Sequence, residues 1–146
     1  MRGEKIYQYD LNITSVVDYG VSMEAILSGR ESIPPQGARF DVAFVGNATG
    51  RLSGRVHGVD YLCMRADGRI HLDIRGTIET DDGFRIGLSA DGAAVMRQGE
   101  PIADLCENVT LITAASGYAW VNTGQIWAPG TVDLAAGNIH IDAYRQ

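Results

Sequence analysis

The chain has 146 residues, 45% of them apolar and 21% charged. That balance supports one packed core and excludes a disordered polypeptide. Eighteen acidic against twelve basic side chains leave a net charge of −6, and no basic run is present, which excludes a nucleic-acid or anionic-membrane surface built on clustered Lys and Arg. No stretch is apolar over the roughly 18 residues that a membrane helix needs. Met1–Lys5 lacks the apolar core of a secretory signal, so the expectation is a cytoplasmic protein with one domain over 1–146.

The elements follow a period of two for most of the chain. Tyr7, Tyr9, Leu11 and Ile13 alternate with Gln8, Asp10, Asn12 and Thr14, predicting a strand. Val21–Leu27 reads equally as a helical turn or a strand, and Pro34-Pro35-Gln36-Gly37 is a loop. Phe40, Val42 and Phe44 alternate with Arg39, Asp41 and Ala43. Ala48–Gly58 predicts a glycine-rich strand carrying Leu52 and Val56, and Asp60–Met64 a short one closed by Asp67-Gly68. Arg69–Glu79 is the clearest case, with Ile70, Leu72, Ile74 and Ile78 on one face and His71, Asp73, Arg75, Thr77 and Glu79 on the other. Asp81-Asp82-Gly83 predicts a turn, Phe84, Ile86 and Leu88 the return strand, and Asp91-Gly92 the next turn. Leu105–Thr113, Tyr118–Trp127 and Asn138–Tyr144 predict three more strands.

Turn signals recur every 8–12 residues or so, the spacing of an all-β sandwich or barrel. Helical periodicity is nearly absent. The prediction is a single antiparallel β-barrel of about eight to ten strands, because closing the sheet hides its edges. A barrel of about eight strands has an interior either filled by side chains or holding one small ligand.

Gly58-Val59-Asp60-Tyr61, Arg65-Ala66-Asp67-Gly68, Leu72-Asp73-Ile74-Arg75, Thr80-Asp81-Asp82-Gly83-Phe84-Arg85-Ile86, Tyr118-Ala119-Trp120-Val121-Asn122 and Ala143-Tyr144, in this order and spacing, resemble the domain-of-unknown-function family 3237. The resemblance covers about residues 5–145. It implies a small barrel similar to that of allene oxide cyclase, often oligomeric, with an activity that is generally unassigned. Tyr61 stands where the family usually has Trp, and the Gly50–Gly58 stretch also departs from its pattern.

Candidate chemistry sits at few positions. Asp73 and Arg75 are two apart and share a face. Inside a barrel they form an acid–base pair, in which Arg75 fixes the carboxylate or binds an oxyanion; on the outside they are ordinary surface charges. The resemblance, in which this Asp-x-Arg recurs, favours the lumen. Asp60 interrupts an apolar stretch, as a lumen acid or base or as the partner of an arginine. Tyr118, Trp120 and Asn122 share a predicted strand face suited to lining a ligand pocket. His140, Asp142 and Tyr144 share another, either orienting an imidazole or facing water.

Cys63 and Cys106 read as buried free thiols. The spacing of His57, His71 and His140 supports no metal site, and no cofactor motif is present: no phosphate-cradling loop, dinucleotide fingerprint, Gly-x-Ser-x-Gly or His-Glu-x-x-His. The expected catalytic residues are therefore Asp60, Asp73 and Arg75, and the expected substrate-binding residues Tyr118, Trp120, Asn122 and Tyr144. The function that they imply is cofactor-independent isomerisation, cyclisation or hydration of a small apolar substrate; the alternative is a non-catalytic binding or carrier barrel. Apolar residues on both faces of several strands (Ile112 opposite Leu111, Trp127 opposite Ile126, Val121 opposite Trp120) predict a homodimer or higher homo-oligomer.

Overall fold

A computed structural model of the chain describes residues 2–146. Eight strands follow one another: β1 (Glu4–Asp18), β2 (Ala38–Gly50), β3 (Gly54–Met64), β4 (Arg69–Thr80), β5 (Arg85–Met96), β6 (Ile102–Ile112), β7 (Ile126–Asp133) and β8 (Asn138–Arg145). Each pairs antiparallel with the next, and β8 pairs with β1, so the sheet closes into the expected barrel. Among the described residues helix is confined to α1 (Met23–Leu27), capped by the Ser22 hydroxyl, and a short 3-10 helix over Ser116–Thr123. Among the described residues no helix is long and apolar enough to cross a membrane.

Three sequence-based boundaries are corrected. Asp91-Gly92 is not a turn: β5 runs through it, with Asp91 opposite Asp73 and Gly92 opposite Leu72. Gly92 has φ +144°, and a Cβ there would stand 2.1 Å from the Cys106 carbonyl oxygen, so glycine serves close strand approach rather than chain reversal. The glycine-rich 48–58 stretch is two strand ends around a turn at 51–53, and β3 runs unbroken from Gly54 to Met64. Tyr118–Trp127 is mostly 3-10 helix, with β7 starting at Ile126. The two cysteines are free but half-buried rather than buried; both occupy outward-facing strand positions.

The barrel's two ends differ. At one end, Val56, Ile78, Ile86, Leu111 and Ile126 are fully buried, together with Leu52 of the β2–β3 turn and Val121 of the 3-10 helix. This end is packed solid. The other end carries the 19–37 connection with α1 and the hairpin turns 65–68, 97–101 and 134–137. Here the inward positions shrink: Ala90, Gly92 and Ala94 on β5, Ala128 and Gly130 on β7. Small side chains on the two strands that flank β6 leave the interior incompletely filled, and the candidate site lies in that half.

Candidate functional site

An internal cavity of about 50 Å³ occupies the α1 half of the barrel. Its walls are almost wholly apolar, including Leu11, Phe44, Leu62, Leu72, Ile74 and Leu105. Three polar side chains face it: Tyr9 from β1, Asp60 from β3 and Glu107 from β6.

Period-two alternation fixes each of them. Leu105, Glu107, Val109 and Leu111 are the inward residues of β6, and Glu107 is 3% exposed. Its cross-strand neighbours are Gly92 and Ala128, so small residues on both sides make room for the carboxyl. The Tyr9 hydroxyl donates to Glu107 Oε1 at 2.9 Å. Tyr7 stacks on Tyr9 with ring centroids 5.3 Å apart; its own hydroxyl is buried without a partner. Burial holds both phenols well above their usual range, with the Glu107 charge adding to it.

Asp60 shares the inward face of β3 with Val56, Leu62 and Met64. Register pairs between β3 and β4 stop at Asp60–Ile74 and resume at Cys63–His71. In the gap, the Asp73 amide donates to Asp60 Oδ1 at 3.0 Å. The Asp60 carboxyl thus takes the place of a ladder acceptor, which satisfies it in an apolar setting.

The two carboxyls hold their protons differently. Burial pushes Glu107 up to about 8, the Asp60 charge adds to this, and the Tyr9 hydrogen bond opposes it. Burial pushes Asp60 only to about 6, because the Asp73 amide stabilises its charged form. Near neutrality the cavity therefore offers one carboxylic acid, Glu107, and one carboxylate, Asp60. A pair of titratable groups whose environments separate their pKa values can divide the roles of acid and base.

The other sequence-based candidates lie elsewhere. Asp73 and Arg75 point outward, with side chains 54% and 71% exposed and a closest approach of 3.8 Å. Their lumen placement is corrected: Ile70, Leu72 and Ile74 occupy the inward phase of β4. Asp73 touches the site only through its backbone amide. Tyr118, Trp120 and Asn122 do not line the cavity either, since they belong to the 3-10 helix at the packed end. Tyr118 donates to Asp82 at 2.7 Å, Arg51 stacks 3.7 Å from the Trp120 ring, and Asn122 pins the Thr113 amide at 2.8 Å. Tyr144 is half-buried on the outer face of β8, opposite Trp127. His140, also on that face, contacts Asp10 at 2.7 Å and Asp142 at 3.2 Å.

Glu107 and Tyr9 are absent from the sequence-based candidates. Glu107 carried a signal: an acid in phase with Leu105, Val109 and Leu111, as conspicuous as Asp60 in its own strand. Tyr9 carried none, because an aromatic on an apolar face reads as core.

Residues 34–146 match the family of proteins of unknown function DUF3237, and the chain belongs to that family. Its fold is shared with a protein of unknown function from Clostridium acetobutylicum (TM-score 0.80, 18% identity, 99% of both chains covered). It is shared as well with a beta-barrel-like protein from Acinetobacter baumannii (0.76, 20%, 99% of this chain and 94% of that one). A third solved structure, an enzyme from Penicillium herquei, is similar at 0.67 and 19% identity, over 99% of this chain and 94% of its own. At such identities the likeness is one of fold. No curated protein matches the chain.

Proposed function

We propose that this member of the DUF3237 family is a cofactor-independent acid–base enzyme acting on a small, largely apolar substrate, by isomerisation, cyclisation or hydration. The observation that carries the reading is the convergence of Asp60, Glu107 and Tyr9 on one otherwise apolar cavity. Asp60, as carboxylate, removes a proton from carbon beside a substrate carbonyl. The C–H electron pair becomes a C=C bond, and the carbonyl oxygen takes the Glu107 proton, giving an enol. For a substrate with a C=C at the β,γ position the enol is a dienol: Asp60 returns its proton to the γ-carbon, the enol O–H proton goes back to Glu107 as the C=O re-forms, and the C=C shifts into conjugation with it, which restores both carboxyls. Tyr9 orients Glu107 through their hydrogen bond. General acid–base catalysis of this kind contributes roughly 10²–10⁴-fold.

The apolar walls alone support a second reading, a carrier barrel that binds such a molecule without chemistry. Deuterium exchange separates the two. Methyl octyl ketone in D₂O, followed by proton NMR, is expected to exchange beside its carbonyl faster with protein than in buffer, and Asp60→Asn to lower the enhancement by roughly a hundredfold. Bound ketone exchanging at the buffer rate would overturn the catalytic reading in favour of the carrier. Assembly into a homo-oligomer is part of the proposal, supported by Ile112 and Val95, which are 70% and 59% exposed on the outer face.

A further inference from the structure

The inner cavity has a neighbour. Met64 and Ile70 line it and also line an open cleft of about 770 Å³ between the α1 segment and the β3–β4 and β5–β6 hairpins. Ile26, Leu27 and Ile33 form the α1 side of that cleft, and Met96 and Pro101 the opposite side. The far end of the barrel is filled by buried side chains, and through Met64 and Ile70 the cleft offers a route into the lumen.

Volume limits what reaches the carboxyls. A cavity of about 150 Å³ accepts benzene; the inner space of about 50 Å³ does not. Only a narrow leading group, about the size of an acetyl, fits beside Asp60 and Glu107. Anything larger must extend past Met64 and Ile70 into the cleft. Charge limits it further. The residues lining the inner cavity include two acids and no Lys, Arg or His. The cleft offers Arg69 against Asp67 and Glu100. An anionic group would meet uncompensated acid inside and no net positive charge outside.

Building on the reading of the inner cavity as the reacting end, we infer that the ligand is an elongated, uncharged, mainly apolar molecule. It leads with a narrow oxygen-bearing group at Asp60 and Glu107, passes between Met64 and Ile70, and lays its larger part in the cleft under Ile26 and Leu27. Carboxylates, phosphates and other anions are excluded as ligands by the same geometry.

Methionine-methyl ¹³C NMR tests this directly, because Met64 lines both spaces and Met96 the cleft alone. Methyl octyl ketone is expected to shift both resonances, and acetone, little larger than an acetyl group, Met64 only. Decanoate, of the same chain length but anionic, is expected to bind at least about tenfold more weakly than the ketone. Leu27→Trp fills the cleft and is expected to weaken methyl octyl ketone while leaving acetone unchanged; Ile26→Trp repeats the test from the adjacent residue. Decanoate binding as tightly as the ketone, or methyl octyl ketone shifting neither Met64 nor Met96, overturns the inference. The catalytic reading fails separately: bound ketone that exchanges deuterium only at the buffer rate removes the chemistry and leaves the ligand class standing.

Discussion

Replacing Glu107 by glutamine removes one titration from the folded protein and leaves its shape nearly unchanged. Burial raises the Glu107 carboxyl from an ordinary 4.5 to about 8. Between these two values the unfolded chain has released the proton and the folded chain still holds it. The unfolded state then binds fewer protons, so unfolding free energy falls as pH rises. Each pH decade in that window costs about 1.36 kcal/mol. Across the whole window the loss amounts to roughly 5 kcal/mol, complete above pH 8 or so. The glutamine amide does not ionise, and its carbonyl still accepts from Tyr9. Urea unfolding of both proteins at a series of pH values isolates the effect, since every other titrating group contributes to both curves. The expected result is near-equal stability at about pH 4.5 and a variant several kcal/mol more stable than the parent at about pH 9. Parallel curves across that range would refute the assignment of Glu107 as a proton-holding acid in a water-poor cavity.

Tyr9→Phe removes the hydrogen bond that favours the charged Glu107, so the Glu107 carboxyl should titrate still higher, and urea unfolding should show a loss of about 1–2 kcal/mol from the unpaired acceptor. Asp73→Asn and Arg75→Met, singly or together, should each cost less than about 1 kcal/mol in the same assay, because the pair is exposed; a loss of several kcal/mol would return the pair to the interior. His140 is held above its usual range, chiefly by its hydrogen bond to Asp10 and with help from Asp142. Its ion pairs therefore contribute fully below about pH 6.5 and are lost as pH rises through the higher folded value. His140→Gln should be destabilised relative to the parent at about pH 5.5, and the difference should vanish in alkaline solution; equal thermal midpoints at both pH values would count against it.

The barrel was legible in the sequence because one physical rule, alternation on a closed sheet, governs most of the chain. In β4 that rule alone placed Ile70, Leu72 and Ile74 inside and Asp73 and Arg75 outside; the family motif argued the other way, and the alternation prevailed. Asp60 was legible as an acid out of place among apolar residues. Glu107 obeyed the same logic, but Cys106 beside it and Ile112 further along blurred the two faces of β6. The Tyr118–Asn122 stretch misled because the 3-10 helix there presents Tyr118 and Trp120 to the core and leaves Asn122 exposed, a pattern that imitates half a strand. What no local pattern could supply is long-range: Tyr9 meets Glu107 across 98 residues, and Gly92 lies opposite Glu107 only because β5 continues where Asp91-Gly92 suggests a turn.

The central claim is that one cavity holds a carboxylic acid and a carboxylate together near neutral pH. Carboxyl ¹³C chemical shifts of the labelled protein, followed through a pH titration and assigned with Asp60→Asn and Glu107→Gln, measure it without a substrate. The account predicts one side-chain carboxyl titrating at about 6 that disappears in Asp60→Asn, and another at about 8 that disappears in Glu107→Gln. In Asp60→Asn the Glu107 value should also fall, because the Asp60 charge is one of its causes. Both carboxyls titrating in the ordinary range, near about 4, would contradict the account.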